Sequence, residues 1–138
     1  TDKECIFCKI ANGEIPSTTL YEDEDFRVIL DLGPATRGHA LLLPKNHFAN
    51  LFELDDETAQ KAILVAKKMA GKMKAALGAD GFNLVQNNGE AAGQTVHHYH
   101  VHVVPRKNGD DVTMTFGSFP KPSDEEMTAI KDKIKENM

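Results

Sequence analysis

Gly93-Gln94-Thr95-Val96-His97-His98-Tyr99-His100-Val101-His102-Val103-Val104-Pro105-Arg106 is the stretch on which the reading of this chain turns. From Val96 to Val104 it is rich in Val and Tyr, which predicts a β-strand that stops at Pro105. Side chains alternate along a strand, so His98, His100 and His102 face one way, roughly 6.6 Å apart from one to the next. Tyr99, Val101 and Val103 form the other, apolar face, and His97 interrupts it as a bystander. A single histidine on such a strand is usually a satisfied, half-buried residue. Three in register bring six ring nitrogens that need partners when buried. Two kinds of chemistry fit. His-x-His on a strand can place two nitrogens on one metal ion. Alternatively, an imidazole can act as nucleophile or proton shuttle near neutral pH. The spacing alone does not choose between them.

The chain has 138 residues, enough for one domain and one core. Its net charge of −5 argues against a nucleic-acid polymer as partner, because binding a phosphate backbone needs clustered Lys and Arg. No apolar run approaches the roughly 20 residues of a membrane span, and the N-terminus lacks the apolar core of a signal peptide. Both features predict a cytoplasmic protein with no membrane partner. Cys5 and Cys8 are three positions apart, which suits a metal or redox pair better than a structural disulfide. On its own, Cys5-Ile6-Phe7-Cys8 supplies only half of a tetrahedral metal shell.

Around the histidine stretch, Thr19–Glu22 and Phe26–Leu30 read as a hairpin joined by an acidic turn. Asp31 ends the second strand, either as a loop cap or as a ligand-binding group. Gly33-Pro34 and Arg37-Gly38 break the chain before a strand at His39–Pro44, and His47 follows it. The longest helix is expected from about Asp56 to Leu77, with Asp55 as N-cap and Gly78 as its C-terminal stop. Ala59, Ala62, Ile63, Ala66, Met69, Ala70, Met73 and Leu77 would form its buried stripe. Gly81–Asn87 reads as a further strand, and the Gly93 loop could bring backbone amides close to an anion or be a plain hairpin loop. After Arg106 comes a long irregular stretch, 107–122, of the kind that serves as a lid or an interface arm. Ser123-x-x-Glu126 then opens a last helix whose apolar face is Met127, Ile130 and Ile134.

These residues together resemble the histidine-triad (HIT) family, over about residues 5–106. The signature His-φ-His-φ-His-φ-φ stands as His98-Tyr99-His100-Val101-His102-Val103-Val104, preceded by Gly93-Gln94-Thr95-Val96. Gly38-His39-Ala40 with Leu41-Leu42-Leu43-Pro44-Lys45 matches the family's earlier histidine segment. The resemblance implies an α+β fold: a five-stranded antiparallel sheet with one long helix and one or two shorter ones. It treats 1–138 as a single domain with an arm and helix at 107–138, paired into a homodimer through the long helix and neighbouring strand.

By the same resemblance, the chain is a nucleotide hydrolase or transferase acting at an α-phosphate, with a purine nucleotide or nucleotide conjugate as its ligand. His100 matches the nucleophile, which forms a nucleotidyl-imidazole intermediate. His102 matches the residue that contacts the phosphate and assists the leaving group. The His98 carbonyl orients His100, and His39 supports the arrangement. Asp31 would hold the ribose, Asn87 would lie near the phosphate, and Gly93, Gln94, Thr95 and Val96 would cradle it. Ile6, Phe7, Ile10, Leu30 and Leu32 match the apolar slot for the base. Many Hint-like members lack the cysteine pair. Those that carry it, and more distantly the galactose-1-phosphate uridylyltransferase branch, bind zinc with it and two histidines. Those histidines fall here at His47 and His98, implying one structural zinc per chain on Cys5, Cys8, His47 and His98. Rival readings are a nucleotide-sensing module with little turnover and a metallohydrolase with its metal on the histidine row.

Overall fold

A computed structural model describes residues 3–138. The hairpin forms as read, with β1 at Thr19–Glu22 and β2 at Phe26–Leu30. β3 (Ala40–Pro44) pairs antiparallel to β2, and β5 (Val101–Arg106) lies between β3 and β4 (Gly81–Val85). The sheet order is therefore β1-β2-β3-β5-β4. This five-stranded antiparallel sheet with helices on its faces is the α+β architecture the sequence resemblance implied.

Period-two patterning explains why β3 reads Ala-Leu-Leu-Leu with no polar alternation: both faces of the sheet are covered. Ala40 and Leu42 point, with Phe26, Val28, Val101 and Val103, into a core closed by the long helix. Leu41 and Leu43 point the other way, with Ile29, against Phe7, Ile10 and Ala11. The long helix α2 spans Asp56–Leu77, capped by the Asp55 side chain on the Thr58 N–H and stopped by Gly78 at φ 65°. Its buried stripe differs from expectation by one position. Val65 is buried alongside Ala62, Ala66, Met69 and Met73, whereas Ile63 is exposed. Gly38 lets the chain enter β3 beside the end of α2. Its φ is 93°, and a Cβ there would sit 2.5 Å from Leu77 Cδ1.

Three further differences from the sequence reading bear on the site. The Cys5-Ile6-Phe7-Cys8 stretch, for which no element was expected, opens a short helix, α1 (Ile6–Ala11), whose N-cap is the Cys5 sulfur accepting from the Cys8 N–H. The strand expected at Gly81–Asn87 stops at Val85, because the Gln86 and Asn88 side chains bond each other and Gln86 Nε2 donates to the Asn87 carbonyl. The strand expected at Val96–Val104 begins only at Val101 and runs on to Arg106. Pro105 lies beyond the last β3 pair, Ala40 with Val103, so β4 alone flanks it and the missing N–H is tolerated. Upstream, the backbone is drawn off the ladder: the Tyr99 N–H donates to the Phe48 carbonyl and the His98 carbonyl accepts from a side chain.

Helix α3 (Asp124–Glu136) starts at Ser123, whose hydroxyl accepts from the Glu126 N–H, and buries none of its residues. No helix of the described residues is long and apolar enough to cross a membrane.

Candidate active site

On the face of the sheet opposite α2, the chain leaves a cavity of about 660 Å³. Its apolar wall is built by α1 (Ile6, Phe7, Ile10), by Ile29, Leu30 and Leu32, and by Leu41. Asp31 sits at one side, Gly93, Thr95 and Val96 at another, and His100 and His102 form the polar floor. Phe7 packs edge-on against the His100 ring, with centroids 5.0 Å apart, so α1 holds that imidazole in place.

Each histidine here has a tautomer that its neighbours dictate. His100 Nδ1 lies 2.6 Å from the His98 carbonyl oxygen, which can only accept, so Nδ1 carries the proton and Nε2 keeps its lone pair. His98 Nε2 lies 2.8 Å from the Pro44 carbonyl oxygen, so its proton is on Nε2 and Nδ1 is free. The Ala35 N–H can only donate, and it does so to His39 Nδ1 at 2.9 Å. Neutral His39 therefore carries its proton on Nε2 and donates it to His102 Nδ1, 2.9 Å away. That leaves His102 with its proton on Nε2.

The charge state agrees with this assignment. Burial pushes His98 and His102 down to about 4. It also lowers His39 and His100, against the opposing pull of the Asp31 carboxylate and, for His100, of its bond to the His98 carbonyl. All four imidazoles are neutral at pH 7. An unprotonated Nε2 on His100 beside an N–H donor on His102, ring centroids 5.1 Å apart, can attack phosphorus and steady a departing oxygen or nitrogen.

His98 does not face the cavity, although strand alternation had placed it beside the other two. Its Nδ1 points instead at the sulfurs of Cys5 and Cys8, at 3.4 Å from each. His47 Nδ1 is 3.2 Å from the Cys8 sulfur. The four ligand atoms all lie within 4.8 Å of one another. One nitrogen facing two sulfurs at equal distance suits a shared centre better than a single hydrogen bond. A tetrahedral zinc with bonds of about 2.3 Å to sulfur and 2.0–2.1 Å to nitrogen would set S···N near 3.6 Å, close to what is seen. The donor set thus fits a closed Cys2His2 site, with the Pro44 carbonyl fixing the His98 tautomer from behind.

Asp31, His39 and His102 also bring donor atoms together. Their spacing speaks for a proton relay rather than a cation. Two nitrogens on one tetrahedral zinc would stand about 3.3 Å apart, whereas His39 Nε2 and His102 Nδ1 approach to 2.9 Å, a hydrogen-bond distance. Asp31 Oδ2 is 3.6 Å from His39 Nε2, and Asp31 Oδ1 accepts from the Gly33 N–H. Asp31 therefore caps its loop with one oxygen while lining the cavity.

Two phosphate-side expectations need correction. The Gly93 and Gln94 N–H groups are consumed by the turn, donating to the Glu90 and Gly89 carbonyls. Among the described residues, the Thr95 and Val96 amides, whose residues line the cavity, donate to no other group of the chain. The Gln94 side chain is buried and bonded to Gly89, Ala49 and Val96, so it braces the loop and does not line the cavity. Asn87 stands behind Gly93, with its amide nitrogen 3.7 Å from where a Cβ would be, and is not part of the cavity wall. Ile15, Pro16, Ser17 and Thr18 also line the cavity. No motif in the sequence singles these four residues out.

Comparison with known proteins places these features in context. The family model for the HIT domain matches residues 12–109. An uncharacterized HIT-like protein of Methanocaldococcus jannaschii is 46% identical over 113 residues, 82% of this chain and 87% of its own length. An adenosine 5'-monophosphoramidase of Schizosaccharomyces pombe is 38% identical over 131 residues, 94% of this chain and 95% of its own. Among solved structures, a HIT family protein from Bacillus anthracis superposes with a TM-score of 0.91 at 38% identity, covering 100% of this chain and 99% of that one. A zinc-bound histidine triad family protein from Mycobacterium smegmatis is 39% identical, covers 98% of each chain and scores 0.76.

Proposed function

The chain belongs to the HIT domain family, and from that premise we propose that it hydrolyses nucleoside phosphoramidates or dinucleoside polyphosphates through a nucleotidyl intermediate on His100. The observation that carries this reading is the 2.6 Å bond from His100 Nδ1 to the His98 carbonyl, which presents an unprotonated Nε2 to the cavity. In the first step Nε2 attacks the α-phosphorus, a P–N bond to His100 forms, and the bond to the leaving amine or phosphate breaks. His102 donates a hydrogen bond from Nε2–H to the phosphoryl oxygen or the departing atom. In the second step water attacks phosphorus, the bond to His100 breaks, and a nucleoside monophosphate is released. Phosphoryl transfer asks mainly for positioning and charge stabilisation. The Thr95 and Val96 amides and His102 provide donors without a basic patch.

In this reading the base lies between Ile6, Phe7, Ile10, Leu30 and Leu32, and Asp31 binds the ribose hydroxyls. Cys5, Cys8, His47 and His98 hold one zinc. With four protein ligands it has no position for substrate, so it ties α1 to the loop after β3 and to the histidine segment. The chain works as a single domain and as a homodimer. The exposed Ile63 and Leu64 of α2 and Leu84 of β4, an edge strand, supply the surface for pairing. A panel of AMP and GMP phosphoramidates and dinucleoside polyphosphates, read by mass spectrometry, tests the activity. Release of nucleoside monophosphate is expected; tight binding with all substrates intact would instead make the protein a nucleotide sensor.

A further inference from the structure

The Cys5-Ile6-Phe7-Cys8 stretch joins two sites. Its sulfurs meet His98 Nδ1 at 3.4 Å each, and Cys8 also meets His47 Nδ1 at 3.2 Å. The two residues between them, Ile6 and Phe7, line the nucleotide cavity. The Phe7 ring packs edge-on against His100, with centroids 5.0 Å apart, and against His98 at 6.1 Å. Whatever moves the sulfurs therefore moves a cavity wall and the ring that holds His100.

Helix α1 is held differently at its two ends. At the C-terminal end, Asn12 Nδ2 donates to the Lys45 carbonyl and Arg27 Nε to the Ala11 carbonyl. At the N-terminal end lie the sulfurs, in unlike settings. Cys8 is 1% exposed. Cys5 is half-buried and lines a second cavity, of about 400 Å³, beside Thr95 and His97. A small oxidant in that cavity reaches the Cys5 sulfur, with the Cys8 sulfur behind it within 4.8 Å.

We propose that Cys5 and Cys8 form a peroxide-sensitive latch, closed as zinc-bound thiolates and opened as a disulfide that unseats the start of α1; this rests on the zinc site and base slot proposed above. In the first step the Cys5 sulfur attacks one oxygen of the peroxide and an S–O bond forms. The O–O bond breaks, and the other oxygen leaves, with a proton, as water or an alcohol. In the second step the Cys8 sulfur attacks the Cys5 sulfur, an S–S bond forms, and the hydroxyl leaves as water with a second proton. Two electrons pass from the thiolates to the peroxide, and the zinc, left with two histidines, is released. An S–S bond of about 2.05 Å draws the sulfurs toward each other and away from His47 and His98. Cys5 also leaves its place as N-cap on the Cys8 N–H. With the far end of α1 pinned, the turn carrying Ile6 and Phe7 is the part that gives. Reduced thiols at 3.2–3.4 Å from the imidazoles can hydrogen-bond them without a metal, so the disulfide is the lever and metal loss alone is not.

Full-length protein loaded with zinc is treated with hydrogen peroxide, beside glutathione at the same concentration. Released zinc is read with a chromogenic chelator, thiols by alkylation, the disulfide by peptide mass spectrometry, and AMP affinity by calorimetry. Both thiols and the zinc should be lost together, with Cys5 and Cys8 joined within one chain. The Kd for AMP should rise by about tenfold or more, as loss of one aromatic wall implies. Reductant with zinc should restore it. Methyl spectra should shift at Ile6 and hold at Met69 and Met73, which separates an unseated α1 from an unfolded protein. Chelated, reduced protein should keep its AMP affinity. Thiols that outlast the glutathione, a disulfide between chains, or a spectrum that collapses throughout would overturn the latch. So would oxidised protein that binds AMP as before, or chelated protein that binds it as poorly as the oxidised form. Reduced protein that binds no AMP overturns the nucleotide reading instead; the zinc and thiol counts and the Ile6 shift then still decide the latch.

Discussion

Replacing His39 tests whether the proton on His102 is placed by a relay. His39 takes the Ala35 N–H on Nδ1 and gives its own Nε2–H to His102 Nδ1, each at 2.9 Å. His39→Leu keeps an apolar filler but removes both bonds. The folding cost should be about 1–3 kcal/mol, since Ala35 is exposed and water can take its N–H, while His102 Nδ1 loses a partner in a half-buried place. Catalysis should suffer through the tautomer. A neutral hydrogen bond of about 1–1.5 kcal/mol no longer favours the form with its proton on Nε2, which is roughly a tenfold loss of the competent state. Proton handling as a whole contributes 10²–10⁴-fold at most, so kcat should fall by about 10- to 100-fold. His39→Gln, whose amide nitrogen can donate where Nε2 did, should recover most of that. The assay is steady-state hydrolysis of AMP phosphoramidates with amines of graded basicity, and the loss should grow with the basicity of the leaving amine. A folded His39→Leu protein at wild-type kcat, or a Gln variant as poor as the Leu one, would refute the relay.

Three further outcomes follow from the same geometry. Asp31→Ala should raise KM for ribonucleotides by about 10- to 150-fold relative to 2',3'-dideoxy analogues, the worth of a charge-assisted hydrogen bond at ~1.5–3 kcal/mol; equal losses would mean Asp31 only caps the Gly33 turn. Burial holds folded His102 at about 4 against 6.5 in the unfolded chain, so that between these values the unfolded chain binds a proton that the folded chain refuses. Its contribution is fully present above pH 6.5 and is lost as pH falls toward 4, at most about 1.4 kcal/mol per pH unit. Urea unfolding of His102→Gln should therefore show a shallower acid decline than the wild type, and equal slopes would count against a buried neutral His102. Zinc removal should lower the melting temperature more than it slows turnover of protein that stays folded; full zinc occupancy in a Cys5→Ser/Cys8→Ser protein would rule out the proposed ligand set.

What could be read from the sequence was what depends on neighbours along the chain. The ends of β1, β2 and α2 fell where turn residues, Asp55 and Gly78 placed them, because caps and turns are local chemistry. Helix α1 was missed because six residues carry little periodicity and its cap is a cysteine, a residue with no capping preference. Ile63 was taken for core because α2 is rich in alanine, which blurs the edge of its apolar stripe. The first half of the histidine strand was misread because its backbone answers to Phe48, far away in sequence. Gln94 looked like a phosphate ligand for the same reason: its partners Ala49 and Gly89 are set by the tertiary fold. The relay from Ala35 through His39 to His102 could not be seen without coordinates, although both histidines were picked out for their type and setting.

The central claim is that His100 is the nucleophile, and trapping its adduct tests this most directly. Wild-type protein mixed with an AMP phosphoramidate, stopped within milliseconds at high pH and digested, should yield one peptide heavier by an adenylyl group. Fragmentation should place the group on His100, and acid should release it as AMP. His100→Ala should give no adduct and lose several orders of magnitude in turnover while staying folded, as removal of a covalent catalyst implies. An adduct on another residue, or a His100→Ala protein retaining more than a few per cent of wild-type activity, would contradict the account.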